Sequence, residues 1–264
     1  MKSIIFFSIL IWRSEKFFKI IAKINSSSGD LISASKRFLD LGVRNGASSA
    51  ALSVNASENN NQVYGCDLNF AGLTLYGEKF VSENYVRCQA DSVTLGKNWN
   101  SDPLDIIFVD TLHTREIVLA ELYFWSKHIN EGGYFIFHDT HLNVGRNYEI
   151  AGKNWKTPDE AVIDFFNIPS KLCKGTAHQA ISVSEYENDD IELKHYTEDY
   201  GMTFVKIKTL DAIERFKSGV DWDYVFEQRN WLMKYDSDTT DYLCDEVELV
   251  ITVWVFLFPI GRVG

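Results

Sequence analysis

The stretch FLDLGVRNGASS, residues 38–49, decides the fold of this chain. An apolar run ends at Asp40, and Gly42 and Gly46 then lead into a serine-containing segment that can open a helix. Glycine lets a backbone approach a ligand closely, and the free N–H groups of a helix N-terminus attract an anion. The stretch therefore predicts a strand, a ligand-binding turn and a helix, although a purely structural turn would use the same glycine pair. Arg44 stands where a dinucleotide-binding G-x-G-x-x-G turn has its middle glycine, which disfavours a dinucleotide.

Short apolar runs like the first one recur along the chain, each ending in a polar or acidic residue before a helical stretch. They cover residues 38–41, 63–66, 85–88, 106–109 and 134–137. Runs that are apolar on both faces are typical of parallel strands that helices cover on two sides. Three later runs are predicted to be antiparallel strands that finish the sheet: 180–183, 191–195 and 202–207. The pattern predicts an α/β fold, with a Rossmann-like, doubly wound, mostly parallel seven-stranded sheet and helices on both faces.

The predicted elements divide the chain into three parts. A helical N-terminal segment covers residues 1–35, the sheet domain covers 36–208, and an acidic helical C-terminal appendage covers 209–264. The first apolar run, residues 3–12, also resembles the start of a signal peptide or membrane anchor, and that alternative stays open. The run ends at Arg13, and apolar residues continue beyond it at helical spacing, which favours an amphipathic helix.

Charge and composition exclude several classes of protein. The net charge is −11, and residues 181–264 carry 8 basic and 18 acidic side chains, whereas residues 1–180 carry 18 and 19. A general nucleic-acid binder needs clustered Lys and Arg, so none is expected. A hydrophobic fraction of 45% excludes a disordered chain. The cysteines form no C-x-x-C pair, which disfavours structural zinc and predicts reduced thiols in a cytoplasmic protein.

Acidic residues stand at the ends of the first three predicted strands: Asp40, Asp67 and Asp91. In an open α/β sheet, the carboxyl ends of parallel strands line one ligand crevice. Asp67 can accept hydrogen bonds from two ribose hydroxyls, and Asp91 can meet an adenine edge. Each acid alone could also cap a helix, but three at successive strand ends favour a nucleoside site.

A second polar group follows the fourth and fifth predicted strands: Asp110, His113, His138, Asp139 and His141. Carboxylate oxygens suit Mg²⁺ or a similar divalent cation, which keeps waters that a substrate oxygen can replace. Such a cation lowers the pKa of a hydroxyl, and a nearby histidine can take the proton. The same side chains could instead cap helices, face solvent or bind backbone, or they could serve a metal-dependent hydrolase. The hydrolase leaves the glycine turn and the nucleoside site unexplained.

Three motifs together resemble one enzyme superfamily. They are D-L-G-x-x-x-G-x-S-S from residue 40, D-I-I-F-V-D-x-x-H from residue 105 and G-G-Y-F-I-F-H-D-T from residue 132. The combination is similar to class I S-adenosylmethionine-dependent methyltransferases over residues 36–207. Within them it resembles the metal-dependent sugar and small-molecule O-methyltransferases, the group with the cephalosporin-hydroxylase-like and macrolide-sugar methyltransferases.

The resemblance implies a role for each motif residue. The methionine part of the cofactor would lie near Asp40, Gly42, Gly46 and Ser48, its ribose near Asp67, and its adenine near Asp91 and Ser92, with Asp110 also in contact. Asp110 and Asp139 would hold the cation, and His113 or His138 would be the catalytic base. His138 stands where some relatives carry a glutamate, which leaves two carboxylates for the metal instead of three.

The sequence thus predicts methylation of a hydroxyl on a small-molecule or sugar substrate: a sugar, a glycan or a secondary metabolite. The expected cofactors are S-adenosyl-L-methionine and Mg²⁺ or a similar divalent cation. The alternatives are a metal-dependent hydrolase and a non-catalytic protein with a methyltransferase fold. No nucleic-acid partner is expected, membrane association is disfavoured, and the apolar terminal runs could form a homo-oligomer interface.

Overall fold

The structure is a computed structural model, and it describes residues 35–54, 56, 57, 59–140, 148–150, 152–169, 183–196 and 201–243. The predicted N-terminal helix and the apolar run 247–260 lie outside these residues, as does His141. None of the helices in the described ranges is long and apolar enough to cross a membrane.

The five predicted early strands all form. In chain order they are β1 (Arg37–Leu41), β2 (Gln62–Asp67), β3 (Tyr85–Gln89), β4 (Leu104–Val109) and β5 (Ile129–His138). A small hairpin and three late strands follow: β6 (Tyr148–Ile150), β7 (Lys153–Trp155), β8 (Val183–Glu187), β9 (Ile191–Tyr196) and β10 (Met202–Ile207).

The helices lie between and after these strands. They are α1 (Ala47–Leu52), α2 (Ser92–Asn98), α3 (Arg115–Trp125), α4 (Pro158–Phe166), α5 (Ala212–Ser218) and α6 (Trp222–Leu243). One π-helical turn, Leu73–Gly77, and two 3₁₀ turns, Glu78–Phe80 and Ser126–His128, complete the described helical structure.

The central sheet has the order β3-β2-β1-β4-β5-β10-β9-β8. Strands β1 to β5 are parallel, whereas β10 pairs antiparallel with β5 and β9, and β8 pairs antiparallel with β9. The predicted Rossmann-like class is therefore confirmed, but the sheet has eight strands and the predicted number of seven is wrong. The five early and three late runs themselves add up to eight, and the late strand predicted at 180–183 meets β8 at Val183, where β8 folds back on β9 as a hairpin.

Alternate residues of the central strands pack on opposite faces of the sheet. Leu39, Ile107 and Phe135 belong to a large core that also contains side chains of α3, α4 and α5. Their neighbours along the strands, such as Phe38 and Ile106, belong to a second core with Ala51 and Leu52 of α1. Strands buried on both faces are the expected form of a parallel sheet, and this burial fixes where their ends lie.

The chain divides into two compact units, Met1–Arg229 and Asn230–Gly264. The domain boundaries predicted at residues 35 and 208 stay predictions. Helices α5 and α6 lie within the segment predicted to be helical, and the chain leaves α5 at Gly219.

Candidate active site

The crevice of this fold lies between β1 and β4. From β1 the chain goes to β2 on one side, and β4 pairs with the other side of β1. This reversal leaves a gap outside the carboxyl ends of the two strands, which is where open α/β sheets bind ligands. Asp40 and Asp110 stand at the ends of these two strands, and the other predicted polar residues stand at the ends of their neighbours β2, β3 and β5.

The glycine turn after β1 is held in a backbone shape that requires glycine. Gly42 has φ 91°, and its N–H donates to the Cys66 carbonyl at 2.9 Å. A Cβ at Gly42 would collide with the carbonyl oxygen of Asp110, because the turn lies directly against the chain that leaves β4. The close approach leaves α1 beginning at the crevice, directly after Gly46.

Asp40 is fully buried beneath this turn. Its Oδ2 accepts hydrogen bonds from the hydroxyls of Ser48, at 2.8 Å, and of Ser49. Ser49 also lies 3.0 Å from the Tyr85 hydroxyl, so the acid joins α1 to β3. Burial raises the pKa of Asp40 to about 7, although the serine hydrogen bonds oppose the rise. In this structure Asp40 and Ser48 therefore support the turn from below, and their contact with a cofactor stays a prediction.

Asp67, at the end of β2, orders the outer part of the turn. Its Oδ2 accepts from the backbone N–H of Arg44 at 2.8 Å, and its Oδ1 accepts from Asn69 N–H at 3.0 Å. Arg44 itself has φ 47°. The carboxylate is only partly buried, so it lies beside the glycine turn with access to solvent.

Asp91 caps helix α2, the structural alternative that the sequence left open. Its Oδ1 accepts from the backbone N–H and the hydroxyl of Thr94, both at 2.8 Å, and forms an ion pair with Arg229 at 2.5 Å. Ser92 donates to Glu121 of α3 at 2.5 Å.

The sequence did not predict that Arg229 and Glu121 lie beside Asp91 and Ser92. Glu121 had a detectable signal, because it lies three and four residues from Val118 and Trp125, on the buried stripe of α3. No such signal marks Arg229, which reaches Asp91 over a sequence separation of 138 residues.

The second predicted group is brought together at the ends of β4 and β5. His113 Nε2 lies 3.3 Å from Asp110 Oδ1 and 2.9 Å from Asp139 Oδ2. His138 Nδ1 lies 3.3 Å from Asp110 Oδ1 and 3.2 Å from Asp139 Oδ1. Two imidazoles and two carboxylates therefore alternate around one point beside the glycine turn.

The charges of this group stabilise one another. Burial alone would lower the pKa of each imidazole, but the two carboxylates outweigh it and raise the pKa of His113 to about 9 and that of His138 to about 10. Burial would likewise raise the pKa of Asp110 and Asp139, yet the histidines hold both below the ordinary value. The group thus contains two carboxylate anions, Asp110 and Asp139, balanced by two imidazolium cations, His113 and His138.

Thr140, the residue directly after Asp139, belongs to a buried hydrogen-bonded chain. The Thr203 hydroxyl of β10 donates to Thr140 at 3.0 Å and lies 2.7 Å from His195 Nδ1 of β9. Asp139 has φ 54°, so the chain turns sharply between His138 and Thr140. The late antiparallel strands thereby hold Thr140, the residue directly after Asp139.

The donor set is chemically suited to a divalent cation. Ligand atoms of Asp110, His113 and Asp139 all lie within 4.8 Å of one another. Carboxylates suit Mg²⁺ and Mn²⁺, while imidazole suits transition metals, so the mixed set favours an ion such as Mn²⁺ that accepts both. A dication would replace the positive charge that the two imidazoles carry here.

The comparisons with known proteins agree with this architecture. Residues 39–140 match a family model described as a methyltransferase domain. The match runs from β1 to the residue after Asp139, so it contains the glycine turn and both acidic groups. This confirms the predicted resemblance: residues 39–140 match a methyltransferase domain, and the sheet has the class I, Rossmann-like topology. No curated protein sequence shows significant similarity to it.

Solved structures with a similar fold include an O-methyltransferase family protein from Burkholderia thailandensis, at 10% identity, with a TM-score of 0.46, 74% of this chain and 56% of that one covered. A second is the SAH-bound methyltransferase PaMTH1 of Podospora anserina, at 13% identity and TM-score 0.43, covering 66% of this chain and 72% of that one. A third is the MycE methyltransferase of the mycinamycin biosynthetic pathway in complex with Mg and SAH, at 17% identity and TM-score 0.42, covering 67% and 46%.

Proposed function

We propose that this methyltransferase transfers the methyl group of S-adenosylmethionine to a hydroxyl of a sugar, glycan or secondary metabolite, with the help of a divalent cation. One observation carries the proposal: the glycine turn lies directly against the segment that begins with Asp110. A cofactor held by the turn and a hydroxyl held by the Asp110 group would therefore be neighbours, as an in-line transfer requires.

Residues at the ends of three strands, β1, β2 and β3, would each contact a different part of the cofactor. The glycine at position 42 would let the protein backbone approach the cofactor closely, and the carboxylate oxygens of Asp67 would accept hydrogen bonds from the ribose hydroxyls. Asp91 and Ser92 follow β3, where the adenine would lie.

The acceptor half would bind and deprotonate the hydroxyl. Asp110 and Asp139 would hold the cation, which lowers the pKa of a bound hydroxyl when it is present. The charge of the cation would lower the raised pKa values of His113 and His138, so that a neutral imidazole of one of them could accept the proton. The nearest carboxylate oxygens lie 2.9 Å from His113 Nε2 and 3.2 Å from His138 Nδ1, close enough to orient the rings. Most of the rate would come from holding the two reactants in line.

Cofactor binding is the first test. Titration calorimetry with S-adenosylhomocysteine should give a measurable Kd for the wild-type chain, and Asp67→Ala should weaken it by at least about tenfold, the value of one lost charged hydrogen bond. Asp102→Ala is the matched control, because Asp102 precedes β4 at the opposite edge and its side chain is 69% exposed. Equal Kd values for Asp67→Ala and wild type would contradict the ribose assignment.

Turnover is the second test. Methyl transfer from S-adenosylmethionine to a panel of hydroxylated sugars and natural products should require added Mn²⁺ or Mg²⁺ and should stop with a chelator. Binding without turnover on any acceptor would favour the non-catalytic alternative. Release of phosphate or ester products without cofactor would favour the hydrolase instead.

A further inference from the structure

Helix α6 contributes a cation to the edge of the cofactor site. Arg229 Nη2 lies 2.5 Å from Asp91 Oδ1, and the two side chains are only 13% and 19% exposed. An arginine guanidinium stays charged at every physiological pH, so this is a permanent and largely desolvated ion pair. It is separate from the metal-binding group, and the proposed reaction leaves it without a role.

The donors around Asp91 converge on one of its two oxygens. Oδ1 receives the N–H and the hydroxyl of Thr94 in addition to Arg229. These three donors fix the carboxylate from one side, while part of the side-chain surface stays open. The three donors thus hold the carboxylate through one oxygen, and its second oxygen is the acceptor that a ligand could use.

A second acid makes the cation more important. Glu121 is buried beside Ser92, accepts its hydroxyl at 2.5 Å, and interacts electrostatically with both Asp91 and Arg229. Two carboxylates in one buried region repel, and Arg229 offsets that repulsion. Without it, the Asp91 carboxylate would be drawn outward to water.

Packing of α6 fixes where Arg229 lies. Trp222 and Phe226 contact Tyr123 of α3, with ring centroids 4.7 and 5.3 Å apart. Arg229 lies three residues beyond Phe226, so it projects from nearly the same side of the helix. Helix α3 also carries Glu121. The packing of α6 on α3 therefore positions both Arg229 and Glu121 near Asp91.

We propose that Arg229 is a positioning residue for adenine recognition: it holds Asp91 so that the carboxylate accepts the 6-amino group of the cofactor. The proposal rests on the proposed function, because it requires an adenosyl cofactor in the crevice. It predicts that the ion pair between Arg229 and Asp91 lets the protein distinguish an amino group from a carbonyl group at position 6 of the base.

The test compares two ligands that differ at that position. S-adenosylhomocysteine carries a 6-amino donor, and S-inosylhomocysteine carries a carbonyl acceptor that a carboxylate would repel. By calorimetry the wild-type chain should prefer the adenosyl ligand by at least about tenfold, since a mismatched buried polar contact costs that much or more. Arg229→Met should reduce the ratio of the two Kd values to about threefold or less, and Asp91→Asn should bring it toward one, because an amide can face either group.

The controls separate this role from general support of the fold. Arg215→Met removes an arginine whose side chain is 61% exposed and pairs with Asp190, and it should leave the ratio unchanged. Arg229→Lys keeps the charge without the planar fork and should give an intermediate ratio; it carries the test if Arg229→Met does not fold. An unchanged ratio in the folded Arg229 variants, or equal weakening of both ligands, would overturn the inference. Failure of the wild-type chain to bind either ligand would instead overturn the proposed function.

Discussion

At the scale of single residues, Asp139 combines a proposed ligand role with an unusual backbone. Its φ of 54° lies in the left-handed region, which costs most residues free energy but which Asp and Asn tolerate. Its two oxygens face different histidines, at 2.9 Å from His113 and 3.2 Å from His138. The turn is therefore what allows one carboxylate to bridge both imidazoles.

Two substitutions separate the charge from the backbone. Asp139→Asn keeps the tolerance for positive φ and removes the charge, so it should weaken Mn²⁺ binding by at least about tenfold, on the order of one lost charged ligand interaction. Asp139→Ala should weaken Mn²⁺ equally and also lose about 1 kcal/mol more of the free energy of unfolding than the asparagine variant. Calorimetry with Mn²⁺ and urea unfolding measure the two effects. Mn²⁺ affinity equal to wild type in both variants would exclude Asp139 as a ligand.

At the scale of elements, helix α3 carries a buried acid on its core-facing stripe. Glu121 is 1% exposed, and burial raises its pKa to about 7, against the hydrogen bond from Ser92. The folded state therefore binds a proton on Glu121 at a pH where the unfolded chain has lost it. Stability contributed by this proton is present below the unfolded pKa and is lost as the pH rises through 7.

Glu121→Gln should remove that part of the pH dependence. From pH 5 to pH 8 the wild-type free energy of unfolding should fall by about 2 kcal/mol relative to the variant, because burial raises the pKa of Glu121 to about 7. Urea unfolding at both pH values measures the difference. Parallel pH profiles for wild type and variant would show that Glu121 does not titrate in this range.

The same helix shows what the sequence could predict and what it could not. Strands β1, β4 and β5 were predictable because their runs are apolar on both faces, and only a sheet covered on two sides buries such a run. Strand β3 lies at the edge and is largely exposed, so its two-sided burial was wrongly predicted. The stripe of α3 was predictable from Ile117, Val118, Leu122 and Trp125. The bounds of the edge strand β8 were predicted less well, because an edge hairpin with one open side leaves a weaker pattern: the run predicted at 180–183 meets Val183–Glu187 only at Val183.

The site was predictable to the same extent. Asp110, His113, His138 and Asp139 follow adjacent strands, so topology alone brings them to one edge. Arg229 was not predictable, because the spacing of apolar residues on α6 defines the buried face but not which polar residue at its border meets another element. Asp91 was predictable as a residue that follows β3, but its pairing was not: the same oxygen, Oδ1, caps α2 and forms the ion pair with Arg229.

At the scale of the whole molecule, the charge is separated from the proposed chemistry. The excess of acidic residues falls in the last third of the chain, whereas the matched family region, residues 39–140, lies in the balanced part. Arg229 is the exception, since it carries a positive charge from the acidic third to the edge of the proposed cofactor site. A methyl acceptor would therefore meet a site whose local charge is set by the paired groups at the strand ends and not by the net charge.

A buried thiol of β2 can report on the opening of the sheet. Cys66 of β2 is 1% exposed, its Sγ lies 3.3 Å from the Ala90 carbonyl, and burial raises its pKa well above the ordinary value. Labelling of this thiol requires the structure to open, because the thiolate is the reactive form and the side chain is buried in the large core between the sheet and its helices.

Cofactor binding should therefore protect Cys66. In a variant with Cys88, Cys173 and Cys244 replaced by serine, S-adenosylhomocysteine at about 100 times its Kd should slow labelling roughly 100-fold. The same reagent should label the urea-unfolded chain at a rate that the ligand does not change. Confirmed binding by calorimetry with no protection of Cys66 would mean that β2 opens without disrupting the cofactor site, against the direct contact of β2 with the glycine turn through Gly42 and Asp67.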